Sequence, residues 1–345
     1  MCKALKLLRN CPGTRVASTG SMVRLGTATL AAGILSVACA TPALHYPAKN
    51  AAPPPVHELW QEPRDLQKRD LFYGVGGRDL APNPRAHYQY KEADTTGASR
   101  GYKVLDDRGM KWDVKLGEEV QPEIVVSRLL WAIGFHQPAV YYMPPGWTIE
   151  GAPGWLDLAE GKQNGARFRP DLPNQDVIGE WSWYDNPFVG TRAFKGLVLA
   201  NLMLSNWDFK ANNNRIYNVK PPIGDASRLF VVQDLGASLG IETPRLLHKI
   251  RLRSLRGTKG RIEDFERSGF VRRVNGERVE VEYHGMDPGL FDNISRADVR
   301  WLCGLISRLS DRQLNDAFRA AGYSEELSER YIRKIKEKVA QGAAL

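Results

Sequence analysis

Asn206-Trp-Asp-Phe-Lys-Ala-Asn-Asn213 is the stretch of sequence that decides the fold, and Val231-Val-Gln-Asp-Leu-Gly236 follows it a short way along the chain. The first stretch has a carboxylate at Asp208, a lysine two positions later and an amide at Asn213. The second has Asp234 before a leucine and a glycine. Carboxylate and amide oxygens suit Mg²⁺, and a lysine attracts phosphate. The two stretches therefore predict a site for a metal ion and phosphate groups.

Phosphoryl transfer is the reaction that this set of side chains fits. It needs one carboxylate to orient or deprotonate the attacking hydroxyl, and oxygen ligands that hold the metal against the phosphates. Asp208 is the candidate for the first role, and Asn213 and Asp234 are the candidates for the second. Lys210 would bring positive charge to the transferring phosphate. The D-x-K-x-x-N spacing and the Asp-Leu-Gly triplet are typical of the catalytic and metal-binding loops of kinases.

A glycine-containing loop lies well upstream of these two stretches. Strands are predicted at 87–93 and 102–106, and Thr95-Thr-Gly-Ala-Ser-Arg-Gly101 joins them. Loops of this kind let backbone N–H groups approach phosphates closely, although an ordinary hairpin turn has the same composition. The candidate phosphate-binding residues in this loop are Gly97, Ser99 and Gly101. Gly74-Val-Gly-Gly77 is a second, weaker candidate.

A lysine-bearing strand and a helix follow the loop. Lys115 lies on a third predicted strand, 111–116, and an amphipathic helix is predicted over 118–134, with a proline near its start and a glycine at its end. Glu119 and Glu123 fall at the start of that helix, where the helix dipole favours negative charge.

The remainder of the chain is predicted to be largely helical. The stretch 192–205 is apolar on nearly every face and should be a buried helix that ends just before Asp208. A hairpin of strands 215–217 and 229–232 should hold Asn213 near Asp234. Further downstream, the sequence predicts a hairpin over 270–283 with an Asn275-Gly276 turn, and three closing helices whose start signals include 295–298 and 310–313.

Taken together, these features resemble the protein-kinase-like superfamily, especially its divergent branches: the secretory-pathway kinases, the CotH-like spore-coat kinases and the HipA-like toxin kinases. The resemblance covers roughly residues 86–240. It implies an α+β, two-lobed protein-kinase-like fold. The small antiparallel β-rich N-lobe would span 86–180, and the mainly helical C-lobe would span 181–345. It also implies ATP as the donor, Mg²⁺ or Mn²⁺ as the metal, and a hydroxyl acceptor.

The resemblance also assigns roles to individual residues. Asp208 would orient the acceptor, and Lys210 would support the γ-phosphate. Lys115 would bind the α- and β-phosphates and would be oriented by Glu123, with Glu119 as the alternative. Asn213 and Asp234 would bind the metal. Two departures stand out: the His-Arg pair usual before the catalytic aspartate is Asn206-Trp207 here, and the glycine loop lacks the usual three-glycine spacing.

The N-terminus has the pattern of a secretory signal. An apolar run at 25–37 follows several basic residues, so residues 1–39 are predicted to be a signal peptide and the protein to be exported. Leu35-Ser-Val-Ala-Cys39 resembles a bacterial lipobox, which would give a membrane-anchored lipoprotein, whereas ordinary cleavage would give a periplasmic protein. The Ala- and Pro-rich residues 40–85 are predicted to form a tether and an N-terminal extension.

Charge gives limited information about partners. Removal of residues 1–38 takes away five positive charges and lowers the net charge from +9 to +4, which is no strong signal for nucleic acid. A basic stretch at 245–261 is compatible with an acidic or anionic acceptor or with a solvated loop. Membrane contact is expected only through a lipid on Cys39.

Two other functions are compatible with the sequence. In the first, the chain is an exported pseudokinase-type binding protein at the cell envelope, in which Asp208 and Asp234 only stabilise their loops. In the second, the two aspartates act as the acid and base of a glycan hydrolase, which would need no metal. The hydrolase leaves Lys210 and Asn213 unexplained.

Overall fold

A six-stranded sheet dominates the first half of the chain. The computed structural model describes residues 42–94, 101–153, 164–244 and 257–345. The strands of the sheet are β1 His87–Asp94, β2 Gly101–Leu105, β3 Lys111–Leu116, β4 Tyr141–Met143, β5 Thr148–Glu150 and β6 Ala166–Pro170. Their order is β4-β6-β3-β2-β1-β5, and neighbouring strands are antiparallel except for β1 and β5, which are parallel.

The strand β3 determines which residues face the core and which face the helix that follows. Trp112 and Val114 are buried in a cluster with Tyr88 and Phe168. Because successive side chains of a strand point to opposite faces, Lys115 projects from the other side of the sheet. The sequence predicted β3 with the bounds that the structure has.

The helix α1, Val120–Ala132, follows β3 and packs against β4 and β6. Ile124, Val125 and Leu130 are fully buried, so the helix is held on more than one side. It ends where Gly134 adopts a φ of 101°, a conformation that glycine takes readily after a helix. The helix lies within the predicted range 118–134 and is shorter by two residues at each end.

The second half of the chain combines a small sheet, a hairpin and helices. The three-stranded sheet has the order β7-β8-β9, and the hairpin pairs β10 with β11. The strands are β7 Gln175–Gly179, β8 Asn214–Ile223, β9 Ala226–Val232, β10 Val271–Asn275 and β11 Arg278–Val281. The helices are α2 Arg192–Met203, α3 Ile262–Arg267, α4 Arg296–Ile306, α5 Asp311–Ala320 and α6 Glu325–Ala343.

The strand β8 is longer than the predicted 215–217. It pairs with β7 on one side and with β9 on the other, and this pairing extends it to Ile223. The register is irregular between Asn218 and Ile223, where two prolines lie. An irregularity of this kind lets a strand continue past residues that have no N–H to donate.

Two of the C-terminal helices begin with the capping boxes predicted from the sequence. In α4 the Ser295 side chain accepts a hydrogen bond from the Asp298 N–H, and the Asp298 carboxylate accepts one from the Ser295 N–H. Ser310 and Gln313 form the same reciprocal pair in α5. Each box satisfies N–H groups that have no partner within the first turn of a helix.

Residues 42–85 lie on the rest of the molecule through short 3-10 helices at Val56–Glu58, Leu66–Lys68 and Gly74–Gly76. Leu59, Leu66 and Leu71 belong to the same buried cluster as α1, α2 and α4. This segment therefore contributes side chains to the main hydrophobic core.

The predicted α+β class is confirmed, with an antiparallel β-rich first part and a mainly helical second part. No helix in the described part of the chain is both long and apolar enough to cross a membrane. The predicted signal peptide at residues 1–39 lies outside the described residues.

Candidate active site

The amino group of Lys115 lies at the centre of the candidate site. Its Nζ is 2.7 Å from Glu119 Oε2, 3.2 Å from Glu123 Oε2 and 3.0 Å from Asp234 Oδ1. A lysine ammonium has three N–H donors, which equals the number of carboxylates around it. Both glutamates considered from the sequence therefore contact the lysine, together with the aspartate of the downstream loop.

Glu123 is held between two cations. Its side chain is 2% exposed, and its Oε1 lies 3.1 Å from Nε of Arg167. Arg167 is directly opposite Lys115 in the pairing of β3 with β6, so both side chains face α1. The Arg167 Nη1 also donates to the Asp113 backbone oxygen at 3.1 Å. Because a buried carboxylate requires compensating charge, this arrangement fixes the position of Glu123.

The charge state of Lys115 follows from these neighbours. Burial by itself would lower the pKa of Lys115, because burial disfavours the charged form. The surrounding carboxylates, of which Glu123 has the largest effect, outweigh burial and raise the pKa of Lys115 above its usual range. The lysine is therefore positively charged at neutral pH, which is the state that binds phosphate.

Asparagine side chains fix the backbone that leads to Asp208. After α2 ends, Ser205 adopts a φ of 54° and turns the chain. The Asn206 Nδ2 donates to Asn201 Oδ1 at 2.7 Å, and the Asn206 N–H donates to the Asn201 carbonyl at 2.8 Å. The Asp208 N–H in turn donates to Asn206 Oδ1 at 3.3 Å. Asn206, which departs from the usual kinase pattern, thus anchors this loop to α2.

Asp208 and Lys210 form an ion pair with partly exposed side chains. The Lys210 Nζ lies 2.9 Å from Asp208 Oδ1, and the lysine side chain is 66% exposed. Exposed pairs of this kind contribute little to stability, because water competes for both charges. Lys210 can therefore move to a bound phosphate at small cost.

Backbone hydrogen bonds bring Asn213 next to Asp234. The Gln233 and Asp234 N–H groups donate to the Asn213 carbonyl at 2.9 and 3.3 Å. These bonds lie at the end of the β8–β9 pairing, so the hairpin brings the two loops together as predicted. The Asn213 Nδ2 also donates to the Asp208 carbonyl at 3.1 Å, which connects all three residues.

Close packing against Glu119 requires a glycine at position 236, the last residue of the Asp-Leu-Gly triplet. A Cβ at this position would overlap Cβ of Glu119. The absent side chain lets the loop approach the start of α1, and this approach is what allows Asp234 to reach Lys115.

The glycine loop is described only at its end. Gly101 is paired directly with Lys115 in the β2–β3 register, and a Cβ on Gly101 would lie 3.0 Å from the Val114 oxygen. Gly97 and Ser99 lie outside the described residues.

Most of the predicted basic stretch at 245–261 also lies outside the described residues. Lys259 is described, and it forms an ion pair with Glu119.

Similarity to known proteins is found in structure and not in sequence. No protein-family model and no curated protein matches the sequence. In structure, the chain is similar to the Helicobacter pylori proinflammatory kinase CtkA, with 10% identity, a TM-score of 0.46, and coverage of 75% of this chain and 95% of that one. It is also similar to the Golgi casein kinase, with 10% identity, a TM-score of 0.37, and coverage of 77% and 73%. The same kinase with Mn/ADP bound gives 11% identity, a TM-score of 0.31, and coverage of 77% and 76%.

The surroundings of Lys115 resemble those of the phosphate-binding lysine in kinases. All three TM-scores are below 0.5, and this resemblance comes from contacts within the chain. Lys115 lies on the third strand and contacts a glutamate of the next helix, as the corresponding lysine does in kinases. Asp234 meets the same lysine from the other part of the molecule.

A metal site beside Lys115 would have few protein ligands. Among the described residues, no group of three or more His, Cys, Asp or Glu side chains is placed to hold a metal ion. Asp234 and Asn213 together offer one carboxylate and one amide. Mg²⁺ is commonly bound through one or two carboxylates plus substrate phosphates and water. The donor set therefore fits a metal that binds together with a nucleotide.

Arg167 is the site residue that sequence reasoning missed. It lies in Ala166-Arg-Phe-Arg-Pro170, where the arginines alternate with apolar residues. In a strand, this alternation places both arginines on one face of the sheet. The alternating pattern of residues 166–170 therefore predicts a strand with two arginines on one face. It does not predict that this strand pairs with β3 or that Arg167 forms an ion pair with Glu123.

Proposed function

We propose that this protein is an ATP-dependent phosphotransferase that uses Mg²⁺ or Mn²⁺ and acts on a hydroxyl acceptor. The observation that supports it most strongly is the position of Lys115, whose amino group contacts both Glu123 and Asp234. A lysine between these two carboxylates lies where phosphates and a metal ion would meet.

Nucleotide binding would change the contacts of Lys115. The 3.0 Å contact between Lys115 Nζ and Asp234 Oδ1 satisfies both charges when no ligand is bound. Phosphate oxygens would replace Asp234 as the partner of Lys115, which leaves the Asp234 carboxylate free to bind the metal. Glu123 would keep the lysine in place, because Arg167 holds the glutamate from its other side.

Asp208 would accept the hydrogen bond of the acceptor hydroxyl and orient it for attack. The hydrogen bond from Asn213 to the Asp208 carbonyl holds this loop beside the metal ligands. Lys210 would leave Asp208 and stabilise the negative charge of the transferring group. A bound metal would neutralise phosphate charge.

The proposed acceptor is a hydroxyl compound that carries negative charge. Lys259 and Arg261 are the basic residues in the described part of the basic stretch, where they pair with Glu119 and Asp264. An acidic or anionic acceptor is therefore proposed from the charge of the whole stretch in the sequence. Export of the protein, with or without a lipid on Cys39, is likewise proposed from the sequence of residues 1–39.

Thermal stabilisation by nucleotide tests the binding part of this proposal. The melting temperature of the purified protein should rise with ATP and Mg²⁺ or Mn²⁺, and the rise should be lost in Asp234→Asn. Asp225→Asn, an identical change at an exposed position in the β8–β9 turn, is the control and should behave as wild type. The absence of a shift in the wild type with any nucleotide or metal would rule out the kinase mechanism and leave an exported binding protein.

Phosphate release or transfer from ATP separates an enzyme from a pseudokinase. Asp208→Asn should retain the thermal shift but lose turnover by about two to four orders of magnitude, because an amide cannot accept the hydroxyl proton. If wild type and Asp208→Asn bind nucleotide equally and neither turns it over, the protein is a pseudokinase-type binding module.

A further inference from the structure

A cleft between residues 67–73 and the helix α5 lies apart from the candidate active site. Its volume is about 450 Å³. Pockets that bind small molecules commonly measure 300–1,000 Å³. Lys115, Asp208 and Asp234 are not among the residues that line it, so the proposed function does not account for this cleft.

Basic side chains outnumber acidic ones around the cleft. The basic residues are Lys68, Arg69, Arg312 and Arg319, and the acidic ones are Asp70 and Asp316. Arg69 is paired with Asp65 at 3.0 Å, so the excess of positive charge comes from Lys68, Arg312 and Arg319. The excess of positive charge in a concave surface concentrates the field and favours an anionic ligand.

Two of the arginines share one carboxylate on α5. Arg312, Asp316 and Arg319 are spaced so that they lie along one side of the helix. The Asp316 carboxylate is 2.8 Å from Arg319 Nη1 and 3.7 Å from Arg312 Nε. Each guanidinium has five N–H donors, so one carboxylate cannot satisfy both. The side chain of Arg312 is 91% exposed and can turn toward a ligand.

An aromatic wall completes the cleft. The Arg319 guanidinium lies 5.5 Å from the centre of the Phe72 ring, and Tyr73 packs edge-on to Phe72 at 5.0 Å. Contact with the ring holds Arg319 in the cleft while its outer N–H groups remain beside the opening.

Hydrogen bonds hold the walls in place. The Gln313 Nε2 donates to the carbonyls of Leu66 at 2.8 Å and Arg69 at 3.1 Å, which attaches the segment to α5. The Asp70 carboxylate accepts from the N–H groups of Phe72 and Tyr73 at 2.9 and 3.2 Å. The cleft is therefore formed before any ligand binds, which lowers the entropic cost of binding.

We propose that this cleft binds a small phosphate-bearing anion through Lys68, Arg312 and Arg319. Guanidinium groups present paired donors that match the oxygens of a phosphate, and lysine adds a point charge. The phosphate group belongs either to a soluble phosphorylated compound or to a lipid headgroup, and the concave shape favours the soluble compound.

Calorimetric titration with inorganic pyrophosphate tests this site in the purified protein. The wild type should show saturable binding that weakens at least about tenfold in the double variant Lys68→Gln, Arg312→Gln, because two charge-assisted contacts are lost. Both residues are exposed, so the variant should fold. The matched control is Arg272→Gln with Arg300→Gln, two exposed arginines on β10 and α4.

Two results would overturn the proposal: no saturable binding by the wild type to pyrophosphate or phospholipid, or the same affinity in the double variant and its control. Cosedimentation with vesicles containing phosphatidylglycerol identifies the source of the phosphate. Vesicle binding that the double variant loses, without binding of free pyrophosphate, would support the site and assign it to a lipid headgroup. The test is separate from that of the proposed kinase activity, because the double variant changes two residues of the cleft and none of the candidate active site.

Discussion

At the residue scale, the charges around Lys115 balance. Glu119, Glu123 and Asp234 all contact Lys115, while Arg167 pairs with Glu123 and Lys259 pairs with Glu119. The cluster thus has three carboxylates and three cations, and most of these side chains are shielded from water. Removal of one member of a buried cluster leaves the opposite charge uncompensated, which costs more than the lost contact alone.

Lys115→Met is expected to lower the free energy of unfolding by about 3 kcal/mol, because it leaves Glu123 and Glu119 facing Asp234 without the central cation. Lys111→Met, at the exposed end of β3, is the matched control and should change stability by less than about 1 kcal/mol. Urea denaturation of both variants measures the difference. Equal stability of the two variants would show that Lys115 does not hold the cluster together.

At the element scale, a buried lysine connects α6 to the end of α2. The Lys338 Nζ donates to the Met203 carbonyl at 2.9 Å and to Ser268 Oγ at 2.8 Å, and it lies 4.4 Å from the centre of the Phe265 ring. Carbonyls at the end of a helix have no partner within the helix, so Lys338 satisfies one of them. Since α2 leads directly into the loop of Asp208, this contact stabilises the end of the helix that positions the loop.

The same lysine makes stability depend on pH. Burial, with a smaller effect of Lys334, lowers the pKa of Lys338 from 10.5 to about 7, and Glu242 and Glu337 oppose the shift only weakly. Between these two values the unfolded chain binds a proton that the folded chain does not, so stability rises as pH increases. The slope expected from this group is about 1.4 kcal/mol per pH unit.

Lys338→Met is therefore expected to flatten the rise in unfolding free energy between pH 7 and pH 10. Denaturation at several pH values, compared with the wild type and with the exposed control Lys336→Met, isolates the contribution of Lys338 from that of other titrating groups. The interpretation is wrong if Lys338→Met and the control have the same pH slope.

At the scale of the whole molecule, residues 42–85 form an N-terminal strap, a segment that contacts several helices and strands in succession. The Trp60 Nε1 donates to the Ile133 carbonyl after α1, at 2.8 Å. Glu58 pairs with Arg228 of β9 at 3.0 Å. Gln313 of α5 donates to the Leu66 carbonyl. The strap therefore contacts both the β-rich and the helical parts and limits how far they move apart.

Leu66→Ala should destabilise the protein by about 3 kcal/mol, because Leu66 is fully buried and its truncation leaves a cavity. Val75→Ala, in the same segment but 38% exposed, should cost less than about 1 kcal/mol. Thermal denaturation compares the two. If residues 42–85 did not pack on the core, the two variants would show small and equal losses of stability.

Local patterns were the part of the fold that sequence reasoning could predict. The capping boxes at Ser295 and Ser310 and the bounds of β3 depend on residues a few positions apart, and the structure confirms them. The hairpin that joins Asn213 to Asp234 was predicted for the same reason, although prolines hid its full length. The roles of Gly97 and Ser99 stay predictions.

The sequence by itself determined the strands β1 to β3, the helices α1 and α2, the three closing helices, and the two loops around Asp208 and Asp234. Periodicity, caps and turns act between near neighbours, so a reader of the sequence can recognise them. Only the tertiary structure decided that Lys115 is shared by three carboxylates, that Arg167 supports Glu123, and that Leu66 is buried. Those contacts join residues far apart in the chain, and their energies depend on burial and on partners that exist only once the molecule has folded.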